Sequence, residues 1–487
     1  MSTREAPPAG WTKTTVGEVG RVQLGRQRSP KNHSGPHMRP YLRVANVFED
    51  RINLDDVMEM NFTPAEYEVF KLEPGDILLN EGQSLELVGR PAMYRGEMPG
   101  ACFTNSLVRF QAGPLLDPKF ALYVFLGYLH TGRFQRIATN TVNIAHLGAG
   151  RFADVEFWLP PRSEQERIVA KVDELFSDLD AGIASLKRAK ANLKRYRASV
   201  LKAAVEGRLT EEWRKTHPQA EDGQMLLDRI LRERREKWER DQLAGFAAKR
   251  KEPPTNWQTK YEEPSATEAS ELPALPEGWI WVPMARLAED APHAIGAGPF
   301  GTIFKAKDFR PTGIPVIFLR HVRASYYSTA KPGFMARDVW EKLFRDEYTI
   351  NGTELLVTKL GDPPGTACLY PSGIGPAMVT PDVIQMRVRN DVASADFLMH
   401  YLNSKIGQAF TTGKAFGTTR LRLTLPLFKD LPVPLPPRTE QQQIVTVVGE
   451  RLSQVDAAAK TIDAELMRSK RLRQSILKRA FEGTLFN

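Results

Sequence analysis

From Ser163 onward the apolar residues fall at Ile168, Val172, Leu175, Leu179, Ile183, Leu186, Leu193 and Val200, in steps of three, four or their sums. That spacing draws a single stripe along an α-helix. The run SEQE at Ser163 predicts a capping box, Pro161 stands just ahead of it, and Gly207 predicts the stop. A second run has the same pattern at Ile444, Val448, Leu452, Val455, Ile462, Leu466, Leu472 and Ile476, with Thr439 as cap and Gly483 as stop. About 43 residues at 1.5 Å each give rods of roughly 65 Å. A rod with one apolar stripe needs a partner in water. The two runs suit each other, and they pair antiparallel if the chain closes on itself. The competing arrangement is two separate surface helices, each on its own domain, although such rods outreach a domain of about 150 residues.

The two runs belong to a longer repeat. LPPRSEQERIVAKVDELFSDLD from Leu159 returns as LPPRTEQQQIVTVVGERLSQVD from Leu435, and SVLKAAVEGRL from Ser199 returns as SILKRAFEGTL from Ser475. Without a gap, about 23 of 51 positions match, which fixes two copies of one unit. Upstream the same offset pairs Gly89, Tyr94, Ala101 and Thr104 with Gly365, Tyr370, Ala377 and Thr380. Near the start of each copy stand PAGW (Pro8 to Trp11) and PEGW (Pro276 to Trp279). The organisation read from this is a globular domain over residues 1–158, a long helix over 159–213, a charged helix and linker over 214–275, a second globular domain over 276–434 and a second long helix over 435–487. The helices stay alike while the domains diverge, as expected of two domains doing one kind of job on different targets.

Within the domains, GDILLN, PAMYRG and NSLVRFQAG read as short strands bounded by turn residues. FALYVFLGYLHTGRFQRIA and DFLMHYLNSKIGQAF read as helices late in each copy. No run of βαβ units occurs, so the class is α+β. In the linker, LLDRILRERREKWERDQL is a charged amphipathic helix with a solvated or partner-binding face, followed by a segment bearing Pro and Glu.

Composition narrows the function. The 67 Lys and Arg against 58 Asp and Glu leave a net charge of +9 over 487 residues, which suits a polyanionic partner. Cys102 and Cys368 lack a CxxC or His neighbour and read as small buried side chains. Neither a disulfide framework nor a metal site is expected. No signal-like segment or long apolar run occurs, so a cytoplasmic chain without membrane contact is expected. GAGPFGTIFKAK (Gly296 to Lys307) resembles a nucleotide-binding glycine loop, but the chain has no kinase-type catalytic loop or metal-binding triplet. No helix pattern follows the glycines, as a dinucleotide site requires. GDPPG (Gly361 to Gly365) lacks the aromatic residue that follows the Pro-Pro of adenine methyltransferases and reads as a turn.

The remaining chemistry lies in polar and basic residues of the loops. The first copy offers Arg26, Arg28, Lys31, His33, Arg43, Asn46, Gln83, Arg90, Asn140 and Asn143; the second offers Lys305, Lys307, Arg320, His321, Arg323, Lys359, Arg420 and Arg422. Arg pairs bidentately with guanine and Asn or Gln with adenine, while Lys mostly holds phosphate. Each alone could be structural; as a set over both copies they point to DNA.

The two LPPR(S/T)EQ…IV helix starts, the EGxL ends at Glu206 and Glu482, RLTEEWR at Arg208 and the P-x-G-W domain starts together resemble the specificity subunits of Type I restriction-modification enzymes. GPFGTIFKAKDFRPTGIPVIFLR is also similar to an opening of that family's target-recognition domains. The resemblance spans nearly the whole chain. It implies a non-catalytic subunit whose two target-recognition domains each read half of a split double-stranded DNA site, held apart by an antiparallel coiled coil. It implies two methyltransferase subunits as partners, and two restriction subunits where these are encoded. No cofactor is expected on this chain; the complex would use S-adenosylmethionine, and ATP with Mg when restriction subunits are present. Two alternatives stay open: a coiled-coil scaffold with two protein-binding domains, and an enzyme using the glycine loop.

Overall fold

The computed structural model describes residues 8–141, 144–261, 272–298, 308–343, 349–350, 352–414 and 421–486. Asn143, Lys305, Lys307 and Arg420 lie outside the described residues, as does the glycine loop beyond Gly298. The chain divides into two compact units, Met1–Ala189 with Thr461–Asn487 (unit one) and Lys190–Lys460 (unit two).

In unit one the buried strand Ile77–Asn80, from GDILLN, sits inside a four-stranded antiparallel sheet. The order is Gly20–Leu24, Leu107–Ala112, Ile77–Asn80, Pro91–Met93, with Phe110 opposite both Val22 and Ile77. A second sheet places Met38–Leu42 between Met58–Asn61, antiparallel, and Cys102–Phe103, parallel. Thr12–Thr15 pairs with Glu156–Leu159, so the first strand of the domain lies beside its last, directly ahead of the long helix.

Unit two has the same strand order: Ile295–Ala297, Val383–Met386, Leu355–Thr358, Ala367–Leu369. Its second sheet again holds a parallel pair, Val316 opposite Met378, and its first strand Ile280–Pro283 again pairs with its last, Pro432–Leu435. The mixed helix and strand content is that of an α+β chain. Each predicted late helix is broken in two. Gly132, at φ +69°, separates Pro118–His130 from Arg133–Ile137. Ser404 separates Ala395–Asn403 from Lys405–Lys414, its hydroxyl accepting from Gly407 N at 3.1 Å.

The long helices run over Arg162–Val205 and Arg438–Phe481, 44 residues each. Ser163 therefore lies inside the first helix and does not cap it; the carbonyl of Pro161 is the first acceptor, bonded by Glu164 N and Gln165 N. The repeated Gln of LPPR(S/T)EQ has a structural cause. Gln165 is fully buried; its Oε1 accepts from Asp117 N, the cap of Pro118–His130, and its Nε2 donates to Leu115 O and Pro160 O. Gln441 repeats the clamp with Ser394 N, Val392 O and Pro436 O. Each amide satisfies three backbone groups that burial would otherwise orphan.

The helices also complete the cores. Ile168, Val172 and Phe176 join Ile476, Leu477 and Ala480 in the core of unit one, among Phe110, Phe120 and Phe125. Ile444, Val448 and Leu452 join Val200, Leu201 and Val205 in that of unit two, among Phe397 and Tyr401. Arg473 pairs with Asp180 in unit one, and Arg197 with Asp456 in unit two. Leu472, counted above in the stripe, is 49% exposed.

The repeat breaks at one buried carboxylate. Glu440 is fully buried in unit two and accepts from Thr210 Oγ1 at 2.6 Å, Arg214 Nη2 at 2.7 Å and Trp279 Nε1 at 2.9 Å. Its repeat mate Glu164 is half-buried and has no side-chain partner among the described residues. The mate of Thr210 is Phe486, which carries Arg167 over its ring at 3.9 Å.

Candidate nucleic-acid interface

Each unit brings two distant loops together at the end of its central sheet. In unit one, strand Ile77–Asn80 runs into the loop Glu81–Val88, and the chain returns at Gly89. Gly89 has φ +74°, and a Cβ there would come within 2.5 Å of the Phe134 ring, so this close approach requires glycine. Gly82–Gln83 pairs with Ala145–His146, which pairs with Thr139–Asn140. Gln83, Ala145 and Asn140 therefore occupy one row across three strands, with Gln83 half-buried and Asn140 exposed. Arg151 pins the hairpin by donating to Ile137 O, His146 O and Thr139 Oγ1, and His146 Nδ1 lies 3.0 Å from the Glu81 carboxylate.

Unit two repeats the junction. Leu360 bridges Arg422, and the Lys359 carbonyl accepts from Leu423 N. Gly365, at φ +88°, would bring a Cβ within 2.5 Å of Thr411. Lys359 is 5% exposed. Burial, and then repulsion from Arg422, holds its ammonium pKa below the ordinary lysine range, while Asp382 opposes the shift. Two cations side by side make this a place where an anion gains electrostatically.

A second basic region of unit one runs from Arg26 to Arg39. Arg28, Lys31 and His33 are exposed there, with Arg28 over the Tyr41 ring at 5.7 Å. Arg26 is held by Glu66 and by Asn61 O. Arg43 is half-buried against Asp56. Arg90 donates to Val47 O and lies over Phe48 at 4.7 Å; burial lowers its pKa. In unit two Arg323 is exposed, and Arg320 is exposed but donates to Lys331 O while covering Phe318 at 4.1 Å.

Two candidates are corrected. Asn46 is 1% exposed: its Oδ1 accepts from Arg43 N and its Nδ2 donates to Asn53 O and Asp56 O, so its whole amide shapes a loop. His321 is 2% exposed and accepts from Phe318 N at Nδ1, with Nε2 at 3.3 Å from Lys331 O. Burial keeps its pKa low, so it is a neutral turn-former. Sequence reasoning also passed over exposed cations: Arg39, which covers Tyr67 at 4.5 Å, and Arg310, Lys331 and Arg337 on unit two. The alternation of Arg39 with Tyr41 along one strand was the available signal. No group of three or more His, Cys, Asp or Glu residues suited to a metal occurs among the described residues. No described helix is long and apolar enough to cross a membrane.

A sequence profile described as the Type I restriction modification DNA specificity domain matches residues 327–468. The chain is 23% identical over 492 residues to the EcoKI specificity subunit of Escherichia coli K12, covering 98% of this chain and 90% of that one. It is 23% identical over 399 residues to the Escherichia coli EcoDI specificity subunit, covering 79% of this chain and 74% of that one. Among solved structures, a chain from work on complex assembly and conformational transition of the type I R-M system aligns with TM-score 0.67 at 16% identity, over 99% of this chain and 100% of that one. The HsdS subunit from Thermoanaerobacter tengcongensis aligns with TM-score 0.52 at 17% identity, over 99% of both. The repeated helix starts, the α+β units and these relatives agree: the chain is similar over nearly its whole length to the specificity subunits of Type I restriction-modification enzymes, which are non-catalytic targeting chains, and residues 327–468 match that family's DNA specificity domain.

Proposed function

We propose that this chain reads a bipartite double-stranded DNA target, one half-site per unit, and positions methyltransferase and restriction subunits on it. The observation that carries the reading is the duplicated loop junction, Gln83 with Ala145 in unit one and Leu360 with Arg422 in unit two. Two equivalent junctions with different side chains are what two readers of different half-sites require. Exposed Arg28, Lys31 and Arg323, with the half-buried Arg422 beside the buried Lys359, supply phosphate contacts, which give affinity and salt dependence without sequence information. Gln83 and Asn140, with Asn143 and Arg420, supply amide and guanidinium groups for base edges in the major groove. Lys305 and Lys307 extend the phosphate contacts of unit two, and Arg26, Arg43, Arg90 and Arg320 support the loops.

The tandem domains are joined by the two long helices, paired as an antiparallel coiled coil. Arg473 with Asp180 and Arg197 with Asp456 support this, because residue numbers fall along one helix as they rise along the other. The pair then acts as a ruler that fixes the number of unread base pairs. Two methyltransferase subunits bind along it, bring S-adenosylmethionine and extrude the target adenine, since methylation needs the base out of the stack. Restriction subunits, where encoded, bring ATP and Mg. All of this takes place in the cytoplasm, where the chromosome lies.

The test is a methylome. The chain is co-expressed with its methyltransferase subunit in a methylation-free host, and modified adenines are mapped by single-molecule sequencing. A motif of two short blocks with a fixed gap is expected. An uninterrupted motif, or no new methylation from an assembled complex that binds its methyl donor, would overturn the reading.

A further inference from the structure

Three exposed aliphatic side chains stand on the two segments that the Gln83–Ala145 pairing brings to the loop junction of unit one. Leu85 is 40% exposed, Leu87 36% and Ile144 47%. Ile144 directly precedes Ala145, the register partner of Gln83, and its Cγ2 would lie 3.6 Å from a Cβ at Gly82. An aliphatic side chain left in water forgoes burial, and here three stand on paired segments that also carry the Gln83 and Asn140 amides. Among the described residues, no exposed large hydrophobic of unit two falls at its equivalent junction, where Lys359, Leu360 and Arg422 stand.

We infer that the junction of unit one covers these side chains with thymine C5-methyl groups in the major groove, so that its half-site contains thymine and is read partly by apolar contact. The inference rests on the DNA-reading function proposed above. The chemistry of the junction fits one occupant. The thymine methyl is the only apolar feature of a base edge in the major groove. The amides of Gln83 and Asn140, on the same three strands, match adenine, the partner of thymine. Glu86, exposed between Leu85 and Leu87, disfavours the phosphate backbone there and leaves base edges as the surface the loop can approach. At the described part of the junction of unit two, Lys359 and Arg422 suit phosphate or guanine instead, so the inference concerns the half-site of unit one.

The experiment follows the methylome. Duplexes carrying the mapped site are made with single thymines replaced by deoxyuridine, which removes only the methyl, and binding by the complex with its methyltransferase is measured. In the half-site assigned to unit one, at least one replacement weakens binding about three- to fivefold, the scale of one buried methyl. In the complex carrying Ile144→Ala or Leu85→Ala that difference shrinks towards one, while the effects of mismatches in the other half-site persist. The substitutions lie on the surface, so folding is not at stake. Two results overturn the inference while leaving DNA reading intact: a half-site for unit one without thymine, or deoxyuridine tolerated at every position while mismatches still cost affinity. Loss of all sequence preference in the unaltered complex would instead sink the proposed function and the inference with it.

Discussion

Replacing Glu440 by Ala removes the one carboxylate that gathers Thr210, Arg214 and Trp279 at the start of the second long helix. The Glu440 side chain is 0% exposed and that of Arg214 20%. Breaking a buried pair by removing one partner costs about 3–5 kcal/mol, because the surviving charge stays out of water. The partial exposure of Arg214 puts the expected cost near the lower end, about 3 kcal/mol, including the buried indole N–H of Trp279 left without its acceptor. Glu440→Gln keeps an acceptor for Trp279 and Thr210 and loses only the charge, so it falls between. The molecule supplies its own control: Glu164 has no such partners, and Glu164→Ala is expected within about 0.5 kcal/mol of the parent. Two compact units make a global unfolding midpoint ambiguous, so the assay is hydrogen exchange of the intact chain. Amides over residues 207–215 and 279–283 exchange about 100-fold faster in Glu440→Ala and unchanged in Glu164→Ala. Equal responses from the two glutamates, or less than a threefold effect from Glu440→Ala, would refute the reasoning that the buried Glu440 carboxylate holds Thr210, Arg214 and Trp279 together.

Other perturbations address the remaining elements. His400 is buried, which pushes its pKa down to about 4 with Arg197 adding to the shift. Its contribution is therefore present above the unfolded value near 6.5 and lost as pH falls towards about 4, on the order of 2–3 kcal/mol in unit two. Denaturant titrations of parent and His400→Leu at pH 7 and pH 4.5 should show the variant losing less, and parallel losses would contradict the shift. Gln165→Ala and Gln441→Ala each strand two carbonyls and one amide, so each should cost about 1–3 kcal/mol and release its own helix start, read by exchange near Asp117 or Ser394. Arg28→Ala with Lys31→Ala should lower the slope of log affinity against log salt by about 2 without changing sequence preference. An altered motif would mean that these side chains touch bases.

Much of the fold was legible because it is local or repeated. The apolar periodicity gave the long helices to within a few residues of Arg162–Val205 and Arg438–Phe481, and the alternating runs gave the strands at Ile77, Pro91 and Leu107. Legibility ended where partners are far apart in sequence. Glu440 meets Thr210 across 230 residues and Trp279 across 161, so nothing near Glu440 announces that it is buried while Glu164 is not. Phe176 belongs to the stripe, four residues after Val172 and the repeat mate of Leu452; it packs beside Tyr123 and under the Arg473 guanidinium of the other long helix. Ser163 matched a capping pattern, yet Pro161 already supplies the first acceptor. Among the candidate DNA contacts, residue type alone could not separate Asn46 and His321, committed to backbone turns, from Arg28 and Asn140 on the surface. The pairing of Gln83 with Ala145 joins segments separated in sequence by the strands Pro91–Met93 and Leu107–Ala112 and is visible only once the chain is folded.

The measurement that bears most directly on the central claim is an exchange of residues 276–434 for the corresponding segment of a relative with a different target, followed by a methylome of the hybrid complex. One reader per unit predicts that one block of the bipartite motif changes while the other block persists. A hybrid that methylates with both blocks altered, or with neither, would contradict it.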